Sequence, residues 1–189
     1  MALLVFGLVL FLGMHSFRIV ADGGRTAFIE RFGEMSYKGV YSVLSLIGIV
    51  LVSMGYKRTY GEYGLVYEPV AGLSHLALIL VPIAFVLVAA AYAPTGHIKQ
   101  AVKHPMVLGV ALWALGHLLA NGMVADVVLF GAFLAWALAD YASALSRPLP
   151  VKGAVSAKGD IAALAIGLIM AGLFIAFLHR YLFGVSPVG

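Results

Sequence analysis

The sequence predicts an all-α fold, a polytopic membrane helical bundle of about six transmembrane helices with both termini on the outer, periplasmic side. Three observations carry that expectation. Hydrophobic residues make up 63% of the chain and charged residues only 11%, a balance too apolar for a soluble domain. The apolar residues gather in six segments, each close to the ~20 residues a helix needs to cross a hydrocarbon core. Basic residues crowd the loops on one side of those segments.

The segments run over residues 2–20, 39–56, 70–93, 105–122, 126–145 and 160–183. Turn-forming residues separate them: Asp22-Gly23-Gly24, Tyr60-Gly61-Glu62, Pro94-Thr95-Gly96, Asn121-Gly122, and Arg147-Pro148 with Pro150, with Ser186-Pro187 closing the chain. The first segment lacks a basic leader and a small-x-small cleavage site, so it reads as a span, not as a cleaved signal. Residues 25–38 mix Arg25, Arg31 and Lys38 with Phe28, Ile29 and Phe32, the pattern of a short helix lying in the membrane interface. No internal repeat stands out, and 1–189 reads as one integral-membrane domain. Arg18, Arg25, Arg31, Lys38, Lys99, Lys103, Arg147, Lys152 and Lys158 follow spans one, three and five. Lys57, Arg58 and Arg180 lie on the other side. The positive-inside rule makes the first set cytoplasmic.

The chain has no cysteine, which excludes disulfides, thiolate ligands and cysteine nucleophiles. A formal charge of +4 spread over loops is topological and gives no nucleic-acid surface. Lipid is the partner that composition implies.

Chemistry therefore rests on histidines. The stretch His104–Asn121 begins with a His-Pro pair and ends on Asn-Gly. Residues four apart share a helical face, which aligns Trp113, His117 and Asn121, with Gly109 one step back. His104 lies 13 residues before His117, about 220° around the helix, so the two face different ways. Pro105 suits the first helical position and places His104 near the N-cap. His15, His75 and His117 fall in three different spans. An ionisable group inside a bilayer is costly to bury and usually has a role, although a neutral imidazole can simply link two helices. Trp113 can equally be a packing residue, and Asn121-Gly122 is a natural helix end. Arg18 reads most simply as a topogenic charge that could also pair a cofactor carboxylate. Acidic residues near the spans are too few for a catalytic zinc or a di-iron carboxylate centre. A haem asks for one or two axial imidazoles and an apolar slot, which this chain can supply. By depth along the spans, His75 pairs with His117 and His15 with His104.

The segments HSFRI (15–19), RFGEMSYKGVYSVLSLIG (31–48), SHLAL (74–78), KHPMVLGVALWALGHLLANG (103–122) and LFGAFLAWALADY (129–141) resemble the NnrU family of bacterial membrane proteins. That family is similar in its core to the haem-dependent zeta-carotene cis–trans isomerase. The resemblance implies haem b, with His15 and His117 as axial ligands of the iron and His104 matching the histidine of the HP pair. Arg18, Trp113, Asn121 and His75 are further cofactor-site candidates, His75 being the rival of His15 for the place opposite His117. The isomerase carries a cysteine one turn before the His117 position, where this chain has Ala114, so ligand exchange through a thiolate is impossible here. The implied setting is the bacterial cytoplasmic membrane, in denitrification or nitric-oxide metabolism. Haem-dependent isomerisation of a small hydrophobic polyene, or redox or nitric-oxide sensing, would be the activity. Two other classes compete. HPMVLG (104–109) resembles part of the S-adenosylmethionine site of isoprenylcysteine carboxyl methyltransferases, with Lys103 and Val107 replacing that motif's arginine and tyrosine. A non-enzymatic scaffold would use the histidines only to join helices.

The charge pattern yields a direct test. Alkaline phosphatase fused after residue 189 is expected to be active and a green fluorescent protein fusion there dark; the reverse pair would place the C-terminus in the cytoplasm.

Overall fold

The computed structural model describes residues 1–147 and 154–188. The expected turn at Pro148 and Pro150, and the charge of Lys152, lie outside the described residues. Nine α-helices follow one another: α1 (Ala2–Val20), α2 (Asp22–Phe32), α3 (Glu34–Thr59), α4 (Ala77–Tyr92), α5 (His97–Val102), α6 (Pro105–Ala120), α7 (Val124–Leu145), α8 (Ala157–Leu173) and α9 (His179–Phe183), counted among the described residues. A 3₁₀ turn, Leu73–Leu76, leads into α4, and a π-helical turn, Phe174–Leu178, joins α8 to α9. Extended pairing among the described residues is confined to one bridge between Leu65 and Met123.

Among the described residues five stretches are long and apolar enough to cross a membrane: Ala2–Val20, Glu34–Thr59, Leu73–Tyr92, Val124–Leu145 and Ala157–Phe183. The sixth expected span is a shorter helix. Its 16 residues rise only about 24 Å, less than the ~30 Å of a typical hydrocarbon core. Asn121 stops it by turning extended (φ −137°, ψ 131°) while its backbone N–H and its side-chain amide both donate to the His117 carbonyl, each at 2.9 Å. Helix starts match expectation at Pro105, which occupies the first turn of α6 behind an N-cap His104. The segment expected to lie in the interface forms α2 and then, after Gly33 at φ 85°, the beginning of α3.

The described residues group into two compact units: Met1–Glu68 with Gly122–Trp136, and Pro69–Asn121 with Ala137–Gly189. In the first, α1 packs antiparallel on α3. Small residues set the approach. A Cβ on Gly7 would lie 2.5 Å from the Val52 nitrogen, one on Gly48 would lie 2.8 Å from the Phe11 nitrogen, and one on Gly55 would strike the Leu4 backbone. In the second unit α4 is flanked by α6 and α8. The buried face of α8 is Gly159, Ala163, Gly167 and Ala171, small residues at every fourth position. Such a stripe lets backbones approach closely, which is how helices gain dispersion energy where lipid supplies no hydrophobic drive. At Gly167 any side chain would run into the Val86 backbone.

Gly167→Leu is therefore expected to lower the thermal midpoint in detergent, by overpacking worth about 1–3 kcal/mol or more. Gly172→Leu, on the same helix with open space around it, should melt like the parent; equal melting of the two variants would contradict this packing.

Candidate functional site

The histidine-bearing wall of α6 forms as its spacing predicts. His117 Nδ1 lies 2.8 Å from the Trp113 carbonyl oxygen one turn back. A carbonyl only accepts, so Nδ1 carries the proton and, in the neutral ring, the lone pair belongs to Nε2. Trp113 stands beside the imidazole, ring centres 5.2 Å apart. Asn121 closes the same face from the other side through its amide bond to the His117 carbonyl. Trp113, His117 and Asn121 are all half-buried. This connected trio fixes one imidazole in one tautomer, the form in which histidine binds a metal through Nε2.

A second imidazole stands near it. His179, the first residue of α9, has its ring centre 6.5 Å from that of His117, with the planes inclined by only 21°. Its Nδ1 lies 2.8 Å from the Val185 carbonyl oxygen, so it too holds its proton on Nδ1. Sequence reasoning assigns His179 no role. The π-helical turn just before it puts one extra residue into the helix, which turns everything beyond by about 100° relative to an unbroken α-helix. A helical wheel drawn from the sequence misses that turn.

His15 belongs to the other compact unit and repeats the device. Its Nδ1 lies 2.7 Å from the Phe11 carbonyl oxygen, again four residues back. Aromatic rings surround it: Phe11 at 4.2 Å, Tyr41 at 5.1 Å and Trp136 edge-on at 5.8 Å. The Trp136 Nε1 and Ser45 Oγ atoms of the same unit are buried without a hydrogen-bond partner, an arrangement that invites a further polar group. Arg18 is exposed in the last turn of α1, and His75 is exposed on the 3₁₀ turn before α4.

His104 stands in a different setting. The His104 N–H donates to the Val102 carbonyl at 2.6 Å across Lys103, whose φ of 61° and ψ of −51° make a γ-turn of the rare, strained hand. Tyr141 donates its hydroxyl to the same Val102 carbonyl at 2.9 Å and presents its ring edge-on to the imidazole. His104 Nε2 is buried with no partner. A cavity of about 180 Å³ opens alongside, lined by Lys99, Lys103, His104 and Pro105 among others.

Three aspartates are bound to structural partners. Asp126, almost wholly buried, accepts from the Tyr56 hydroxyl at 2.5 Å and from the Met123 N–H at 3.1 Å. Asp160 caps α5 by accepting from the His97 and Ile98 N–H groups, each at 2.9 Å, and lies 2.7 Å from His97 Nδ1. Asp140 pairs with Arg147 at 3.3 Å. Among the described residues no three histidine, aspartate or glutamate side chains gather as a metal-binding group.

Long apolar helices, close-packed on small residues and carrying imidazoles along their length, define an all-helical integral membrane protein. The chain belongs to the NnrU family: the family model described as NnrU protein matches residues 3–187, nearly its full length. No curated protein and no solved structure matches it.

Tyr56→Phe removes one of the two donors to the buried Asp126 carboxylate. It is expected to cost about 1–3 kcal/mol of stability, read as a lower thermal midpoint, whereas Tyr63→Phe on the exposed loop should leave the midpoint in place.

Proposed function

We propose that this NnrU protein is a haem b-binding protein of the bacterial cytoplasmic membrane, with both termini outward, and that His117 is an axial ligand of the haem iron. The single observation that carries the reading is the His117 ring, held through Nδ1 by the Trp113 carbonyl so that its Nε2 lone pair is the ligating one. Donor chemistry supports haem over other metals. A zinc ion takes four ligands, usually three or more from protein, and the described residues assemble no such group. Haem brings four ring nitrogens of its own and asks the protein for one or two imidazoles. His15 holds the same tautomer as His117 and would be the second imidazole on the group, with His75 its rival.

Bound haem supplies an iron that exchanges single electrons and takes diatomic ligands. The chain's own residues do the rest. Trp113 orients the imidazole and walls it, and Asn121 locks the end of the helix that carries it. Ala114, one turn ahead of the ring, is fully buried and offers no sulfur, so ligation stays with nitrogen. Arg18, exposed at the end of α1, is the guanidinium proposed for a propionate. Within the NnrU setting this haem serves denitrification or nitric-oxide metabolism by redox or nitric-oxide sensing; isomerisation of a bound polyene is the enzymatic form of the same site. The competing methyltransferase reading would place its cofactor beside His104 and Pro105, where Lys103 and Val107 stand in place of that motif's arginine and tyrosine.

The test is an absorption spectrum of the full chain purified after expression with haem supplied. A Soret band is expected that shifts between the oxidised and dithionite-reduced protein, and His117→Ala should shift or abolish it. Colourless protein, or a band indifferent to His117→Ala, would falsify the assignment. Calorimetric binding of S-adenosylmethionine would favour the methyltransferase.

A further inference from the structure

The connection between α4 and α6, within the second compact unit, is held more firmly than a linker requires. Its short helix α5 is fixed along its whole length. At the start, the Asp160 carboxylate accepts from the His97 and Ile98 N–H groups, each at 2.9 Å. Gly159 lies so close to the preceding loop that a Cβ there would strike the Pro94 carbonyl oxygen. In the middle, Lys99 donates its ammonium to the Ala91 and Ala93 carbonyls at the end of α4, at 2.7 and 3.1 Å. At the end, the Val102 carbonyl accepts from both the His104 N–H and the Tyr141 hydroxyl. Between them Lys103 takes φ 61°, the one positive-φ residue other than glycine among the described residues. A lysine that serves topology needs only its charge. One held in strained backbone, by contrast, has a set direction, and such strain gathers at binding sites.

These contacts build one side of the cavity of about 180 Å³ beside α6. Lys99 and Lys103 line it with Ala91 and the first turn of α6, and none of the lining residues is acidic. Lys103 has no acidic partner among the described residues; Asp140 is engaged with Arg147 and Asp160 with His97. The helix adds partial positive charge. Its first N–H groups have no intrahelical acceptor, and the N-cap His104 makes no side-chain bond to them. His104 Nε2 is buried without a partner, an unmet hydrogen-bonding need among the lining residues. Two cations, unpaired N–H groups and the lack of an acid favour an anion. The setting narrows its class. α4 ends, and α6 and α8 begin, against α5, and the ends of helices that cross hydrocarbon lie at the level of the lipid headgroups. Ala91, Pro105, Met106 and Val107 give the same cavity an apolar side.

We infer that the cavity between α5 and the start of α6 binds a phosphate group, that of an anionic membrane lipid. Lys103 is the cation that meets it, Lys99 adds a second positive charge fixed on the end of α4, and the first N–H groups of α6 are the neutral donors. The inference does not depend on haem.

The experiment places the full chain in nanodiscs of phosphatidylcholine, with or without phosphatidylglycerol, and reads retained lipid by native mass spectrometry together with the thermal midpoint. One phosphatidylglycerol per chain is expected to be retained, with a raised midpoint. Lys103→Gly keeps the fold, because glycine adopts a positive φ without strain, and should hold that lipid about fivefold more weakly, the loss of one lysine beside an anionic headgroup. Lys103→Arg should hold it as the parent does. Lys158→Gln, an exposed lysine at the start of α8 that does not line the cavity, should also leave retention unchanged. Inorganic phosphate added to the chain in detergent separates the two sources of the group. No effect on the midpoint is expected; a rise that Lys103→Gly abolishes keeps the phosphate site and assigns it to soluble phosphate. Retention indifferent to Lys103→Gly, with no response to inorganic phosphate, overturns the inference. So does an equal loss in Lys158→Gln, which marks diffuse surface charge.

Discussion

The constraint on which the rest depends is the close approach of helix backbones. In hydrocarbon, burying leucine against leucine gains little over leaving leucine in lipid, so helices cohere through dispersion contacts made at short range. Here the contacts are made by glycine and alanine. Gly7, Gly48 and Gly55 bring α1 and α3 together, and the stripe of Gly159, Ala163, Gly167 and Ala171 lays α8 on α4. Those small residues leave large apolar side chains such as Phe6, Val9, Leu46 and Ile169 exposed on the outer surface, where lipid tails would cover them. A soluble bundle would invert that arrangement, with its large residues inside.

Polar side chains in such helices need partners that do not compromise the packing. The chain uses one solution repeatedly, a bond from the side chain to the carbonyl four residues back. Ser16, Ser53 and Thr59 donate their hydroxyls to Leu12, Ile49 and Gly55 in this way. His15 and His117 do the same with Nδ1. For a hydroxyl this bond completes its needs within one helix. For an imidazole it leaves the other nitrogen to be addressed, and fixes where that nitrogen points. The same local interaction thus completes a buried hydroxyl in serine and sets the direction of the second ring nitrogen in histidine. His179 obtains the equivalent bond from beyond the helix end, at Val185.

Backbone exceptions cluster where chemistry-bearing residues stand. The γ-turn at Lys103 precedes His104, and the π-helical turn precedes His179. The extended Asn121 ends the helix of His117 and is followed by Gly122, where any Cβ would collide with the Tyr67 carbonyl oxygen. Strained or irregular backbone inside otherwise regular helices persists only where its surroundings hold it, and here each case sets the direction of a histidine or the length of its helix.

Much of this was legible in the residues themselves. Apolar runs with polar punctuation locate the helices within a few residues, because burial in lipid demands length and apolarity and both are properties of the chain alone. The His104-Pro105 start, and the alignment of Trp113, His117 and Asn121, follow from a period of 3.6 and from proline's missing N–H. Other features needed the folded molecule. The pairing of Asp140 with Arg147 is one of them. The shortness of α6 depends on a side-chain amide capturing a carbonyl, and the approach of His179 to His117 depends on one extra residue in a helical turn. Periodicity projects a side chain correctly only while the helix is uninterrupted. The sequence by itself therefore determined the class of protein and the shared face of Trp113, His117 and Asn121; which residues meet across helices was decided by tertiary structure, through a local departure from the period on which sequence reasoning relies.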